Sequence, residues 1–576
     1  MPGGLLNLVA TGNQNVILNG NPTKTFFKFV YAKYTNFGLQ KFRLDYNGSR
    51  TLNVSEDSHF TFKVPRYGDL VLDTFLVFNL PHIWSPIYPP KGDGDCKNYS
   101  DWVPYEFKWI ENLGTQLIKE VTITSGGLTL QKFSGNYLTT LAQRDFTNTE
   151  RDLVNEMTGN IPELYDPANS GANVNSYPNA YFDNSSANAE PSIRGRKLYI
   201  PISAWYSFSS KMAIPLIALQ YNELNINITL RPIKELFTIR DVNHIKKDDN
   251  DNILYKYPRI QPNFTEAYQQ PFNFLQPPPN VELDYQKGQL INNWNADIHL
   301  MSTYAFLSEE ENKVFAAKDQ QYLIKDINEY TFNNVVGTEK VSIPSLGMVS
   351  SYMFFFRRTD ASLRNEWTNY TNWAYKDMIP QQPQDPVNND FGANFGDFYK
   401  PAKLDCPPTT PNHHFTPDTN PDGGSTGLII TGPYNPANQK LILQNLGILC
   451  DGKYRENLLD AGVYNYMEKY HAIGGKGAEG LYCYNFALKT SPFILQPSGA
   501  MNMSKFKDIE FEFTTFTPPR DPNAQALTIC GLDGEIIAVN KPTWRIYDYT
   551  YDMHIIEESY NILTFTSGNC GLMFAK

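Results

Sequence analysis

Two stretches of the sequence combine residue types that bind metal ions in other proteins. Cys406, His413 and His414 are zinc-type ligands, but a zinc site needs four ligands and no second close pair accompanies them. Residues 418–429 begin with the Asp, Asn, Asp and Gly spacing of a calcium loop, but the twelfth position is Ile429 instead of a bidentate glutamate. We therefore predict polar loops at both places and no metal site.

The spacing of Gly475, Gly477 and Gly480 matches a dinucleotide-binding motif. Such a motif binds phosphate when it follows a strand and opens a helix. Here the strand-like LYCYNFAL follows the glycines, so we predict a loop. Neighbouring acidic residues such as Glu557 and Glu558 are interpreted as solvated, and no nucleophile has a recognisable base. We predict no catalytic residue, no cofactor and no enzyme activity.

Asn98, Asn184 and Asn369 lie in Asn-x-Ser/Thr sequons and are the candidate glycosylation sites. The other sequons are interpreted as chance matches in an Asn-rich chain. Six cysteines occur without a CxxC pair, which predicts free thiols in a reducing compartment. Neither a secretory signal nor an apolar run long enough to cross a membrane is recognised.

The stretch NGNPTKTFFKFVYAKYTNF, residues 19–37, concentrates aromatic rings and lysines near the start of the chain. A targeting function is disfavoured because the residues before it are not basic. The net charge of −11 disfavours a nucleic-acid platform, since phosphate binding normally needs a basic surplus. Phe27, Tyr31 and Tyr34 recur at helical spacing, which predicts a short helical turn after Thr25. We expect these rings to close the bottom of the first folded domain, with the lysines at its rim.

The elements around these residues are mostly strands. Residues 70–80 and 224–230 alternate apolar side chains with a period of two, and long Pro- and Gly-rich stretches separate such segments. Helical spacing is confined to residues 135–146, 308–318 and 452–470. The charged fraction of 19% is below the roughly 25% of ordinary soluble domains, which favours extensive protein–protein packing. The fold class predicted from these patterns is all-β.

The order of elements occurs twice along the chain. A strand, a glycine-containing turn, a second strand and a helix occupy residues 121–138 and again residues 441–462. The spacing from Leu198 to Leu224 is nearly the same as that from Leu481 to Ile509. We interpret the chain as two divergent copies of one β-domain.

Five long, collinear stretches resemble the major capsid proteins of large icosahedral double-stranded DNA viruses of eukaryotes, the phycodnavirus, iridovirus and mimivirus group. They are GGLLNLVATGNQNVILNGNPTKTFFKFVYAKYTNF, IPLIALQYNELNINITL, GLYCYNFALK, QPSGAMNMSKF and YNILTFTSGNCGLMFAK. The resemblance implies two tandem eight-stranded antiparallel jelly rolls with a few short helices in loops.

The domain organisation expected from this resemblance has three parts. An N-terminal arm, residues 1–24, would lie at the base of the assembly. The first jelly roll would span residues 25–235 and the second residues 236–576. Long loops are expected at about 236–296 and 376–440.

The resemblance also implies a structural function. Homotrimers would form pseudo-hexagonal capsomers that tile an icosahedral shell around an internal membrane. The partners would be neighbouring capsomers, minor capsid and penton proteins, and the membrane through the N-terminal arm, without direct nucleic-acid contact. The protein would be located in the virion after assembly in the host-cell cytoplasm.

The outer surface of such a shell would carry four loops. They are expected between the fourth and fifth and between the sixth and seventh strands of each roll, at about residues 82–116, 135–197, 360–440 and 452–480. The physical reason is that a loop facing solvent can lengthen at little entropic cost.

Two other classes remain open from the sequence. Jelly rolls also build lectins, so a glycan-binding virion surface protein is the first alternative. A β-sandwich carbohydrate enzyme is the second, and it would need two carboxylates facing each other across a groove.

Overall fold

The computed structural model describes the two β-domains and most of their connections. The described residues are 4, 5, 8, 12–88, 103–174, 176–180, 190–242, 245–247, 253–256, 259–278, 290–373, 439–518, 527–530, 536–540 and 549–574.

The first domain is a sandwich of two antiparallel sheets. Its long strands are β1 (Phe37–Asp45), β2 (Ser58–Lys63), β3 (Leu70–Asn79), β4 (Ile118–Ser125), β5 (Leu128–Ser134), β6 (Lys197–Pro201), β7 (Leu224–Leu230) and β8 (His299–Leu307). One sheet has the order β1-β8-β3-β6, and the other has the order β2-β7-β4-β5. Strands distant in sequence are therefore neighbours, which is the connectivity of a jelly roll.

The second domain repeats this architecture. Its long strands are β9 (Gln320–Val335), β10 (Thr338–Ser342), β11 (Met348–Arg358), β12 (Leu443–Cys450), β13 (Lys453–Asp460), β14 (Leu481–Asn485), β15 (Ile509–Thr515) and β16 (Tyr551–Thr566). The sheet orders are β9-β16-β11-β14 and β10-β15-β12-β13. Each strand βn of the first roll thus corresponds to β(n+8) of the second, which confirms two tandem jelly rolls.

The alternating side chains explain why these segments form half-buried strands. In β7 the buried residues Leu224, Ile226, Ile228 and Leu230 alternate with partly exposed polar residues. The period of two places all four apolar side chains on the inner face. Residues 126–127, both glycines, have φ of 55° and 88° and join β4 to β5 in a tight hairpin.

Helices occupy a small part of the described chain. The longer ones are α1 (Gly135–Asp145), α2 (Asn148–Thr158) and α3 (Glu309–Ala317), and α4 (Glu468–Ala472) follows the π-helical turn Val463–Met467. Short α-helices are Asn15–Asn19, Leu113–Leu117, Pro162–Tyr165 and Phe272–Leu275. Short 3-10 helices are Pro167–Asn169, Trp205–Ser207, Ser210–Met212, Leu216–Ala218, Ile233–Glu235, Ala267–Gln269, Thr359–Arg364 and Met503–Lys505. No helix of the described chain is long and apolar enough to span a membrane.

Short strands complete the structure. They are Ile87–Tyr88, Val103–Pro104, Lys108–Trp109, Ile214–Pro215, Phe237–Arg240, Ile245–Lys247, Ile253–Lys256, Arg259–Ile260, Met501–Asn502, Leu527–Cys530, Ile536–Asn540 and Asn569–Leu572. Ile214–Pro215 pairs with β3, and Met501–Asn502 occupies the same place beside β11.

The helix predicted over residues 452–470 is half wrong. Residues 453–460 form β13, which pairs with β12 across the turn at Asp451 and Gly452, whose φ values are 49° and 72°. Pairing along a sheet edge therefore overrides the helical spacing of this segment. The helices predicted over residues 135–146 and 308–318 are present as α1 and α3.

The predicted boundary at residues 235/236 does not match the structure. β8 lies between β1 and β3 in the first roll, so residues 299–307 belong to that roll. The first roll therefore extends to Leu307, and α3 connects it to the second. β8 follows a long connection, and its sequence pattern fits either roll. The local sequence therefore does not indicate to which roll this strand belongs.

The long loops connect different strands from those expected. Residues 82–116 lie between the third and fourth long strands of the first roll, β3 and β4, and residues 135–197 lie between the fifth and sixth, β5 and β6. Of the loop expected at 376–440, only residues 439–440 lie within the described part of the chain.

Candidate assembly surfaces and the junction between the rolls

Four buried side chains join the two rolls through a charged cluster. Arg144, from α1, donates to Glu558 of β16 with an Nη2–Oε1 distance of 2.7 Å and to Asp145 at 2.6 Å. Ser351 of β11 donates to the other carboxylate oxygen of Glu558 at 2.9 Å. Arg144 is 0% exposed and Glu558 is 1% exposed. Charges this deep are tolerated because each is paired and hydrogen-bonded.

The protonation states of this cluster follow from its charges. Burial opposes ionisation of Glu558, but the positive charges of Arg144 and Lys325 outweigh it and lower the pKa of Glu558 to about 2. Lys325 Nζ lies 3.5 Å from the same carboxylate. The prediction that Glu557 and Glu558 are solvated is therefore wrong: both are buried, because β16 is a central strand covered on both faces.

The glycine-rich loop is part of the same junction. Gly475 and Gly477 donate their backbone N–H groups to the carbonyls of Arg144 and Gln143, both at 2.7 Å. These carbonyls belong to the last turn of α1, which an isolated helix leaves without partners. A Cβ at Gly475 would lie 2.7–2.8 Å from three backbone oxygens. The loop prediction is confirmed, and these glycines allow the second roll to approach the helix end of the first.

The sheet edges of the two rolls also meet. Gln131 of β5 donates to the backbone oxygen of Lys325 in β9 at 2.9 Å. Ser134, the last residue of β5, donates from both N and Oγ to the carboxylate of Glu329 at 2.7 Å. A cavity of about 690 Å³ lies between these two strands. The first roll thus presents its β5–α1 side to the β9 edge of the second roll.

A further contact lies beside this edge. The ring of Trp367 lies 4.1 Å from the guanidinium carbon of Arg231, in the first roll, and 5.5 Å from that of Arg357, in the second. Its indole N–H donates to the backbone oxygen of Glu235 at 3.0 Å. Asn365 donates to the backbone oxygen of Phe237 at 2.8 Å. The loop after β11 is therefore anchored on the first roll by polar and cation–π contacts.

The surfaces of each roll that match the junction but lie away from it are exposed. In the second roll, the helical segment that corresponds to α1 exposes Tyr466, Met467 and Tyr470, the last by 86%. In the first roll, β1 corresponds to β9 and exposes Phe37 and Leu39. Each roll therefore leaves uncovered the kind of surface that its counterpart buries at the junction, and exposed apolar surface of this kind marks an interaction site.

The aromatic stretch at the start of the chain also lies in solvent. Residues 28–36 have no regular secondary structure, and Phe26, Phe27 and Phe29 are each at least 88% exposed. The predicted helical turn after Thr25 and the closure of the first roll by these rings are both wrong. A helix this short is stable only when its apolar face packs against another surface, and these rings pack against none.

The candidate glycosylation sites have separate outcomes. Asn369 is buried, its amide nitrogen donates to Trp373 O at 2.8 Å, and its Oδ1 accepts from Thr371. The folded chain therefore leaves no room for a glycan at Asn369, which contradicts the prediction there. Asn98 and Asn184 lie outside the described residues.

The two motifs with metal-type ligands are predicted to be polar loops. Cys406, His413, His414 and residues 418–429 lie outside the described part of the chain. Among the described residues, no cluster of three or more His, Cys, Asp or Glu side chains could hold a metal ion. Sequence reasoning missed the Arg144–Glu558 pair, because a charged residue at a helix end normally indicates a solvated surface.

Comparisons with known proteins agree with the fold. Two family descriptions match in tandem, "Major capsid protein N-terminus" over residues 25–269 and "Large eukaryotic DNA virus major capsid protein" over residues 311–571. The major capsid protein of Paramecium bursaria Chlorella virus 1 (PBCV-1) is 24% identical over 576 residues, 100% of both chains. Capsid protein 1 of Acanthamoeba polyphaga mimivirus is 26% identical over 57% of this chain, which spans 44% of that relative's length.

Solved structures show the same double jelly roll. The crystal structure of VP54 from PBCV-1 matches with a TM-score of 0.57 and 19% identity, over 96% of this chain and 100% of that chain. The Faustovirus major capsid protein matches with a TM-score of 0.54 and 13% identity, over 98% of both chains. These relatives are structural proteins rather than enzymes, as predicted for this chain. The chain belongs to the family of major capsid proteins of large eukaryotic DNA viruses.

Proposed function

We propose that three copies of this chain close into a ring of six jelly rolls, and that these trimers tile a virion shell. The observation that carries this proposal is the side-to-side junction of the rolls. It uses the β5–α1 side of one roll and the β9 edge of the other, and the two corresponding surfaces, one on each roll, stay exposed.

A contact between two different surfaces propagates from copy to copy. Such a head-to-tail interface produces a closed ring when its rotation divides a full turn, and a filament when it does not. If the contact between chains repeats the contact within the chain, three chains supply six similar wedges. The ring then has a nearly hexagonal outline, and capsomers of that outline tile a curved shell through weaker contacts between neighbours.

The N-terminal arm is proposed to lie at the base of this capsomer. The aromatic stretch that follows the arm carries exposed rings, and three lysines lie at or beyond the end of the arm, Lys24, Lys28 and Lys33. Aromatic rings with basic side chains suit the interface of an anionic membrane and also suit apolar grooves on other proteins. We propose the internal membrane and the minor capsid and penton proteins as partners of the inner face, with assembly in the host-cell cytoplasm. Glycans at Asn98 and Asn184 stay a prediction.

The mass of the purified protein in solution tests the ring. Light scattering is expected to give three times the mass of 65.7 kDa for the single chain, and electron micrographs are expected to show hexagonal outlines. A stable monomer at micromolar concentration would contradict the proposal. Binding to a glycan array by such a monomer would favour the lectin alternative instead.

A further inference from the structure

Because the chain is an internal duplication, each residue at the junction can be matched with a residue on the exposed side of the other roll. The short strands Ile214–Pro215 and Met501–Asn502 pair with the starts of β3 and β11 and anchor the two registers. β3 pairs with β8, which pairs with β1, and β11 pairs with β16, which pairs with β9. Following these pairings residue by residue makes Arg43 of β1 the counterpart of Glu329 of β9. It also makes His299 the counterpart of His554, and the identity of the residue type supports the match.

The partner of Glu329 has its own counterpart in the second roll. Ser134 is the last residue of β5 and lies opposite Glu120 of β4, and Asp460 is the last residue of β13 and lies opposite Asn445 of β12. Ser134 Oγ accepts from the N–H of Asn136, two residues later, at 3.1 Å. Asp460 Oδ1 accepts from the N–H two residues after it at 2.7 Å. Both side chains therefore cap the helix that follows.

The buried residues of β9 show which positions of a first strand a neighbouring roll covers. Ile324, Asp326 and Ile327 of β9 are only 1–4% exposed, since the first roll lies over them. Their counterparts on β1 by the same register, residues 38, 40 and 41, are all exposed. The difference lies in the presence of a neighbouring roll, because the two strands have the same place in the same sheet order. A second copy would supply that roll for β1.

The residues facing each other at the two junctions have complementary chemistry. Within the chain a carboxylate, Glu329, accepts from a hydroxyl, Ser134. If the contact between chains repeats the contact within the chain, the register sets a guanidinium, Arg43, opposite a carboxylate, Asp460. Arg43 is positioned by Asp45 at 2.7 Å and by both oxygens of Asp297, and these bonds leave two of its five N–H groups for a further acceptor. Asp460 is exposed.

We propose that Arg43 of one copy pairs with Asp460 of the next copy in the ring. Tyr466, Met467 and Tyr470 of that next copy then pack against the sheet that contains β1, β8 and β3, as Arg144 of α1 packs against β16 and β11. The partner is thus a second copy of this chain, and the contact deepens the proposed ring, on which it rests. A pre-positioned guanidinium loses little freedom on binding, which favours the pair.

A double-mutant cycle tests the pair. The variants are Arg43→Met, Asp460→Asn and the combination, and the trimer–monomer equilibrium is measured by light scattering over a dilution series. Each single variant is expected to shift the midpoint to roughly tenfold higher protein concentration, and the double variant no further than the larger single shift. Asp460→Arg, which opposes two cations, is expected to yield monomers.

The control is Lys313→Met, which removes an exposed ion pair with Glu309 on α3 and is expected to leave the midpoint unchanged. Thermal unfolding of each variant at a concentration where all are monomeric separates misfolding from lost assembly. Additive shifts in the cycle, or trimers of unchanged stability in Asp460→Arg, would overturn the pair while leaving the ring intact. A monomeric wild-type chain would instead overturn the ring.

Discussion

At the scale of single residues, the junction between the rolls depends on charges removed from water. Arg144 and Glu558 are too deeply buried to be stabilised by solvent, so each depends on its partners. A buried pair of this kind adds little to stability compared with an apolar pair, but breaking it is expensive. Its more specific effect is on geometry, because the two charges satisfy each other in only one relative position of the rolls.

Replacing Glu558 by Gln is expected to lower the free energy of unfolding by about 3 kcal/mol, because Arg144 loses one of its two buried counter-charges. Urea unfolding of monomeric protein measures this loss. The matched control is Glu309→Gln, since Glu309 belongs to an exposed pair and should leave the unfolding curve unchanged. Equal curves for wild type and Glu558→Gln would show that the buried charge is not needed.

The lowered pKa of Glu558 predicts that the free energy of unfolding depends on pH. The folded state lowers the pKa of Glu558 to about 2 from 4.5, so its contribution is complete above pH 4.5 and is lost as the pH falls towards 2. The difference in unfolding free energy between wild type and Glu558→Gln is therefore expected to shrink between pH 6 and pH 3. Unfolding curves at both pH values measure it, and a constant difference would contradict this assignment.

At the scale of elements, the end of α1 and the glycine loop of the second roll form one unit. The loop supplies backbone donors where the helix has unpaired carbonyls, and close approach is possible because Gly475 and Gly477 have no side chains. The glycine pattern resembles a phosphate loop because both need backbone N–H groups free to bind an acceptor. Here the acceptor is the carboxyl-terminal end of another helix.

Gly475→Ala is expected to destabilise the chain by about 1–3 kcal/mol, since its Cβ would press against three backbone oxygens of the α1 end. Thermal unfolding measures the effect. Gly571→Ala is the matched control, because a Cβ at Gly571 meets no atom within 4 Å. A loss of the same size in both variants would show that the close approach is not the cause.

At the scale of the whole molecule, the chain has two free sides and an aromatic stretch that packs against neither roll. Phe26, Phe27 and Phe29 are almost fully exposed, which is a large apolar surface for a monomer. The two free sides correspond to the two sides that meet in the junction. Both features are those of a subunit rather than of an independent protein.

Deleting residues 2–34 is expected to leave the melting temperature of the proposed trimer within about 2 °C, because the described residues of this segment lie almost entirely in solvent. The deletion should abolish association beyond the trimer at high concentration, since the exposed rings are lost. Light scattering and thermal unfolding measure both effects. A lower trimer stability after deletion would assign the arm to the contacts within the ring.

The sequence by itself determined most of the strands, the hairpin at residues 126–127, the duplication and the family, because alternating side chains and turn residues are local properties and the matching stretches are long. Only the tertiary structure decided that β8 belongs to the first roll, that Glu558 is buried and that the aromatic stretch lies in solvent. These outcomes depend on contacts between residues hundreds of positions apart, such as Arg144 with Glu558. Whether a charged or aromatic side chain is buried depends on the surface that reaches it, and no local pattern carries that information.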